Sequence, residues 1–121
     1  ATGEMDIDSI RNVINLYWSV VKDLFPHAWV LPAGKSRLMH GVGIKAMGIL
    51  MDRVMTQILP QENNAQQKVK QALQPIVSHC AWTEGEWEKL NGRPWNMLQN
   101  TRTDVKLLSN MLIRVYAGVD G

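Results

Sequence analysis

The sequence predicts an all-α fold: one compact bundle of four principal helices around a glycine-bearing central helix, with a tryptophan-rich loop or short-helix segment before the last. Three observations predict it. Apolar residues recur at steps of three and four along most of the chain, and the two-residue alternation of strands is almost absent. Residues 36–59 are apolar around nearly the whole helical circumference, the pattern of a helix buried on most sides. With 121 residues, 45% of them hydrophobic, the chain has the size of one domain able to bury one core. Residues 1–121 are therefore read as a single helical domain.

The first helix is expected over residues 6–24. Asp6 and Asp8 suit its N-terminal dipole, and Ile7, Ile10, Val13, Ile14, Tyr17, Trp18, Val21 and Leu24 form its apolar stripe. Pro26 disfavours helical geometry at Phe25 and ends it. Residues 27–34 read as a connection in which Trp29, Val30 and Leu31 enter the core. The central helix comes next, capped by Ser36 and carrying Leu38, Met39, Val42, Ile44, Met47, Ile49, Leu50, Val54, Met55 and Ile58. Gly41, Gly43 and Gly48 each cost about 1 kcal/mol against alanine inside a helix, so they suggest close backbone approach. Pro60 and the polar residues after it close this helix. It is expected to lie between the first and last helices, with Met47 and Leu50 buried.

A third helix is expected over residues 64–80, with Val69, Ala72, Leu73, Ile76, Val77 and Cys80 inward and a kink or break at Pro75. Residues 81–99 hold Trp82, Trp87 and Trp95. Thr83 with Glu86 matches a capping box opening a short helix that Asn91-Gly92 ends, and Pro94 suits a further turn. The last helix, residues 103–116, has Thr101 or Thr103 as cap, a stripe of Val105, Leu108, Met111, Leu112 and Val115, and Gly118 just past its end.

Charge and cysteine usage bound the function. The formal net charge of +2 does not itself imply nucleic acid, because a phosphate footprint depends on clustering. The single cysteine, Cys80, permits no disulfide within the chain, and no apolar run reaches the roughly 20 residues of a membrane span. The expected location is cytoplasmic. Ala1-Thr2-Gly3 lacks an initiator methionine and leads almost at once into a helix pattern, so the chain is read as a fragment of a longer protein.

Each candidate motif has a competing assignment. Gly34-Lys35-Ser36 mimics the end of a phosphate-binding P-loop, but that pattern needs glycine where this chain has Trp29, and needs a parallel sheet. A solvated Lys35 beside a capping Ser36 is the alternative. His27, His40, His79 and Cys80 have no zinc-site spacing, and His79 and Cys80 diverge by about 100° on a helix, so no metal is assigned. Cys80 reads as a buried small hydrophobe rather than a nucleophile. Glu84, Glu86 and Glu88 read as solvated helix-cap residues rather than paired acid and base. No catalytic residue and no cofactor is assigned. Trp82, Trp87 and Trp95 near Arg93 and Arg102 suit either base stacking with single-stranded nucleic acid or a helical core. If the chain touches DNA, the candidate contacts are Lys35, Arg37, Lys45, Arg93 and Arg102, binding phosphate rather than base edges. Against this stands a merely solvated basic surface.

Two stretches carry a family resemblance: Phe25-Pro26-His27-Ala28-Trp29 with Lys35-Ser36-Arg37-Leu38-Met39-His40-Gly41-Val42-Gly43 and on to Gly48, and Cys80-Ala81-Trp82-Thr83 with Gly92-Arg93-Pro94-Trp95-Asn96-Met97-Leu98-Gln99-Asn100-Thr101. They resemble the C-terminal helical half of DGQHR-domain proteins, a family that includes DndB-like regulators of DNA phosphorothioation. The likeness spans roughly residues 10 to 117. It implies a bacterial or mobile-element protein of DNA modification, its regulation or defence; the lack of any complete nucleophile, metal or phosphate motif makes this half a support or interaction module for an upstream domain. The DGQHR signature itself is absent from the chain, so the activity of the half that bears it does not carry over. Two functions stay open: a support or interaction module that contacts DNA phosphates, and the helical half of an enzyme whose nucleotide- or DNA-processing site lies mainly upstream. Oligomeric state is not predicted.

Overall fold

The first helix, α1, runs Ile7–Leu24 and buries Tyr17, Val20 and Val21. The computed structural model describes residues 7–58 and 62–118; Asp6, Leu59 and Pro60, expected at helix ends, lie outside the described residues. Phe25 (φ −129°, ψ 58°) leaves helical geometry, as the residue before a proline is driven to do. Pro26 then sits at the start of a new one-turn helix, α2 (Pro26–Trp29), where a connection was expected. This restart redirects the chain through residues 30–35. Ala28 is buried and Trp29 and Leu31 are half-buried, but Val30 is 74% exposed and is not the core residue anticipated.

The central helix, α3, spans Gly41–Met55 and starts later than expected. Residues 36–40 instead make a turn, with the Met39 amide donating to the Ser36 carbonyl at 3.2 Å. His40, not Ser36, caps the helix: its Nδ1 accepts from the Val42 amide at 3.3 Å, and Ser36 is fully buried beneath the turn. Val42, Ala46, Met47, Leu50 and Val54 are fully buried, whereas Ile44 (45%) and Ile49 (41%) face outward beside Lys45. The most extensive helix contact is between α3 and α5 (Arg102–Ala117). The first helix packs chiefly on α4 (Ala65–Val77), touches α3 more sparingly, and is tied to it by the Tyr17 hydroxyl donating to the Met47 carbonyl at 2.7 Å. Burial, then the charges of Cys80 and Asp52, push the Tyr17 phenol well above its ordinary pKa.

Pro75 does not break α4, which remains one helix through Val77. The proline lies in the last turn, and both it and Gln71, whose carbonyl loses its amide partner, face solvent. Water can satisfy that carbonyl, so the cost falls short of that of a buried proline. At α5 the cap is Thr101, whose Oγ accepts from the Asp104 amide at 3.2 Å, and Gly118 (φ 75°) closes the C-terminus in the left-handed region. No helix of the described residues is long and apolar enough to cross a membrane.

Candidate functional site

Residues 81–101 do not form the short capped helix that Thr83 and Glu86 suggested. They make a tight loop around a two-residue antiparallel pairing, β1 (Glu86–Trp87) with β2 (Arg93–Pro94), separated by a 3₁₀ turn over Glu88–Leu90. Asn91 (φ 63°) and Gly92 (φ 71°) reverse the chain in the left-handed region, so this dipeptide closes a hairpin. Glu86 thus stands in a strand rather than in a helical first turn.

Aromatic and backbone contacts anchor the loop. Trp82 and Trp87 are buried and meet edge to face (5.1 Å, 82°), with Phe25 edge-on to Trp82 (5.9 Å, 85°). This favours the core assignment for those two tryptophans. Trp95 is half-buried; its amide donates to the Gly85 carbonyl at 2.9 Å, and its carbonyl accepts from the Trp87 indole at 3.3 Å.

Arg37 is the centre of the arrangement. It is only 8% exposed, donating from Nε to the Leu98 carbonyl at 2.9 Å and from an Nη to the Asn96 carbonyl at 2.5 Å. Its guanidinium lies 5.7 Å from the centroid of the Trp95 ring, a cation–π contact. Its own amide donates to the Trp82 carbonyl at 2.8 Å. One residue therefore binds the loop at both ends, and in this fold Arg37 faces carbonyls inside rather than phosphate outside. Its planar fork of donors suits this task better than an ammonium would.

The glycines explain how the turn before α3 fits. A Cβ on Gly43 would stand 1.9 Å from the Arg37 carbonyl oxygen, and one on Gly41 would meet the Asn100 side chain at 2.6 Å. Close approach thus occurs at both, against the Arg37 turn and the loop. Gly48 has nothing within 4 Å of that position, so crowding does not account for it.

The other four candidate cations are all exposed. Arg93 reaches Asp104 in the first turn of α5 at 3.7 Å, two residues from Arg102. Asp104 Oδ2 also accepts from the Gln99 amide at 2.8 Å, which fixes the loop to the helix start. Because Gly41 abuts Asn100, the beginning of α3 meets that of α5, and Lys45 lies one turn along α3. Lys35 sits apart from these, in an open recess of about 370 Å³ lined also by His27, Leu31, Gly34, Thr83, Glu84 and Trp95. Gly34-Lys35-Ser36 is a turn, with the Lys35 amide donating to the Pro32 carbonyl at 2.9 Å, and α2 rather than a strand precedes it.

The remaining candidates separate. Among the described residues no three His, Cys, Asp or Glu gather closely enough to hold a metal ion. Desolvation pushes the Cys80 thiol far above its ordinary pKa, which disfavours the reactive thiolate. Desolvation and then the charge of Arg37 lower the pKa of His40, keeping its capping nitrogen unprotonated. What sequence reasoning missed was the role of Arg37, for which the neighbouring residues Lys35, Ser36 and His40 gave no local signal. Comparison with protein families, with characterised proteins and with solved structures finds no match to this chain.

Proposed function

We propose that this chain is a binding module that contacts DNA through its phosphates, within a DGQHR-type protein of DNA modification, its regulation or defence, where it also partners an upstream domain. The observation that carries the reading is the set of four exposed cations placed about one braced loop: Arg93 and Arg102 at the start of α5, Lys45 just beyond the junction of α3 and α5, and Lys35, apart from these, beside Trp95. Cations held on a braced scaffold lose less freedom when they engage a phosphate backbone than cations on a mobile tail. Arg37 is left out of the contact set because its guanidinium is occupied inside.

Contacts to phosphate predict weak, sequence-tolerant binding that falls steeply with salt. Anisotropy of a labelled duplex titrated with the chain, repeated across salt concentrations, measures this. The expected result is a linear fall of log affinity with log salt, its slope lessened by about one for each of Lys35, Lys45, Arg93 and Arg102 replaced by alanine. Absence of binding at about 50 mM salt, or a slope unmoved by the four replacements, overturns the proposal.

A further inference from the structure

The recess beside Trp95 is built differently from the rest of the basic rim. Gly34-Lys35 and Thr83-Glu84 form neighbouring parts of its wall, drawn together by the hydrogen bond from the Arg37 amide to the Trp82 carbonyl. Behind this seam, Ser36 Oγ and Trp82 Nε1 are buried with no hydrogen-bond partner among the described residues. His27 and Leu31, carried by and just after α2, complete the lining. Its volume lies at the lower end of the range for small-ligand pockets, about 300–1,000 Å³.

Three features select a ligand. Trp95 offers an aromatic surface whose position is set in advance by the Arg37 guanidinium against its ring and by hydrogen bonds at its amide and carbonyl. Among the described residues, the Lys35 ammonium makes no ion pair and the Glu84 carboxylate makes none either, although both line the same recess. A planar ring that stacks, carries an anion and donates hydrogen bonds to a carboxylate would use all three.

We infer that the recess of Lys35, Thr83, Glu84 and Trp95 binds a nucleobase together with its phosphate, guanine above the other bases. Guanine alone among the common bases presents two adjacent ring-edge N–H donors to a carboxylate, as N1–H and N2–H, and Glu84 is the acceptor. The base stacks on Trp95, and its phosphate meets Lys35. Such a base must be unstacked from any duplex, so the ligand is a single-stranded guanine or a free guanine nucleotide. This rests on the phosphate-contact reading only for the strand that delivers the base; the pocket itself is independent of Lys45, Arg93 and Arg102.

The test uses the chain with guanosine, adenosine and cytidine monophosphates, a labelled thymine-only single strand, the same strand with one guanine, and a duplex. The guanine-bearing strand is expected to bind about tenfold more tightly than the thymine-only strand. Glu84→Gln should erase that preference, Lys35→Ala should weaken both single strands, and Trp95→Phe should retain more affinity than Trp95→Ala. Because Glu84 and Lys35 are exposed, neither of their variants depends on the core. Equal binding of the two strands, or a guanine preference that survives Glu84→Gln, overturns the inference and leaves duplex binding to stand or fall separately. Guanosine monophosphate bound without any duplex affinity sustains the pocket while refuting the phosphate surface. Binding of the free nucleotide as tightly as the strand marks the nucleotide as the ligand, and tighter binding of the strand marks nucleic acid.

Discussion

The contact between α3 and α5 belongs to an apolar core to which one helix contributes Val42, Met47, Leu50 and Val54 and the other Leu108, Met111, Leu112 and Val115, all buried. Residues 81–101 hide Trp82, Trp87 and Leu98 as thoroughly, yet this loop has hardly any regular ladder to satisfy its backbone. Arg37 fills that need. Dispersion and hydrophobic burial are spread over many weak contacts and tolerate exchange, whereas a buried guanidinium on two carbonyls concentrates stability in one residue. The helical pair is redundant and the loop is not, so single changes should damage them unequally.

The largest effect is expected from Arg37→Met, which keeps much of the length and removes the donors. The Leu98 and Asn96 carbonyls lose their partners and Trp95 loses its cation, so we expect a loss of about 2–4 kcal/mol in denaturant unfolding. Hydrogen exchange should rise first across residues 81–101, while α3 and α5 keep their protection. Arg37→Lys should recover little, because an ammonium does not reproduce the fork. Uniform loss of protection in both regions would abolish the distinction.

Two glycines of one helix separate the regions more finely. Gly43→Ala drives a methyl into the backbone of the Arg37 turn and should destabilise by about 1–3 kcal/mol. Gly48→Ala meets nothing within 4 Å and should stabilise by up to about 1 kcal/mol through helix propensity alone. Thermal unfolding of the two variants should shift in opposite directions; equal signs would show that the turn before α3 is not rigidly seated.

The smallest effect is in pH. The pKa of His40 is lowered on folding from about 6.5, by desolvation and then by Arg37, so the unfolded chain takes up the proton more readily. Stability is unaffected by His40 well above that pH, and falls as pH drops below it, when protonation also removes the nitrogen that caps α3. His40→Gln should flatten the decline in midpoint between neutral and mildly acidic pH. An unchanged slope would place the acid sensitivity elsewhere.

Helices that face a core along one stripe were legible in the residue order. Three-to-four-residue periodicity located α1, α4 and α5 within a few residues, and the Thr101 and Gly118 caps were readable because a cap is a local hydrogen bond or a local backbone conformation. The same signals misplaced the start of α3 and the outcome at Thr83: Ser36 is buried in the turn before α3, where His40 supplies the cap, and Glu86 pairs with Pro94 in the hairpin. Val30 went outward for a related reason: apolarity states a preference for burial, and the restart at Pro26 decided which side chains could satisfy it. The residue order offered five candidate cations, but it did not reveal that Arg37 would reach Asn96 and Leu98, about sixty residues away, or that Lys35 would share a recess with Trp95. Those pairings are contacts between segments remote in sequence, and only the closure of the chain on itself brings donor to carbonyl and ammonium to ring.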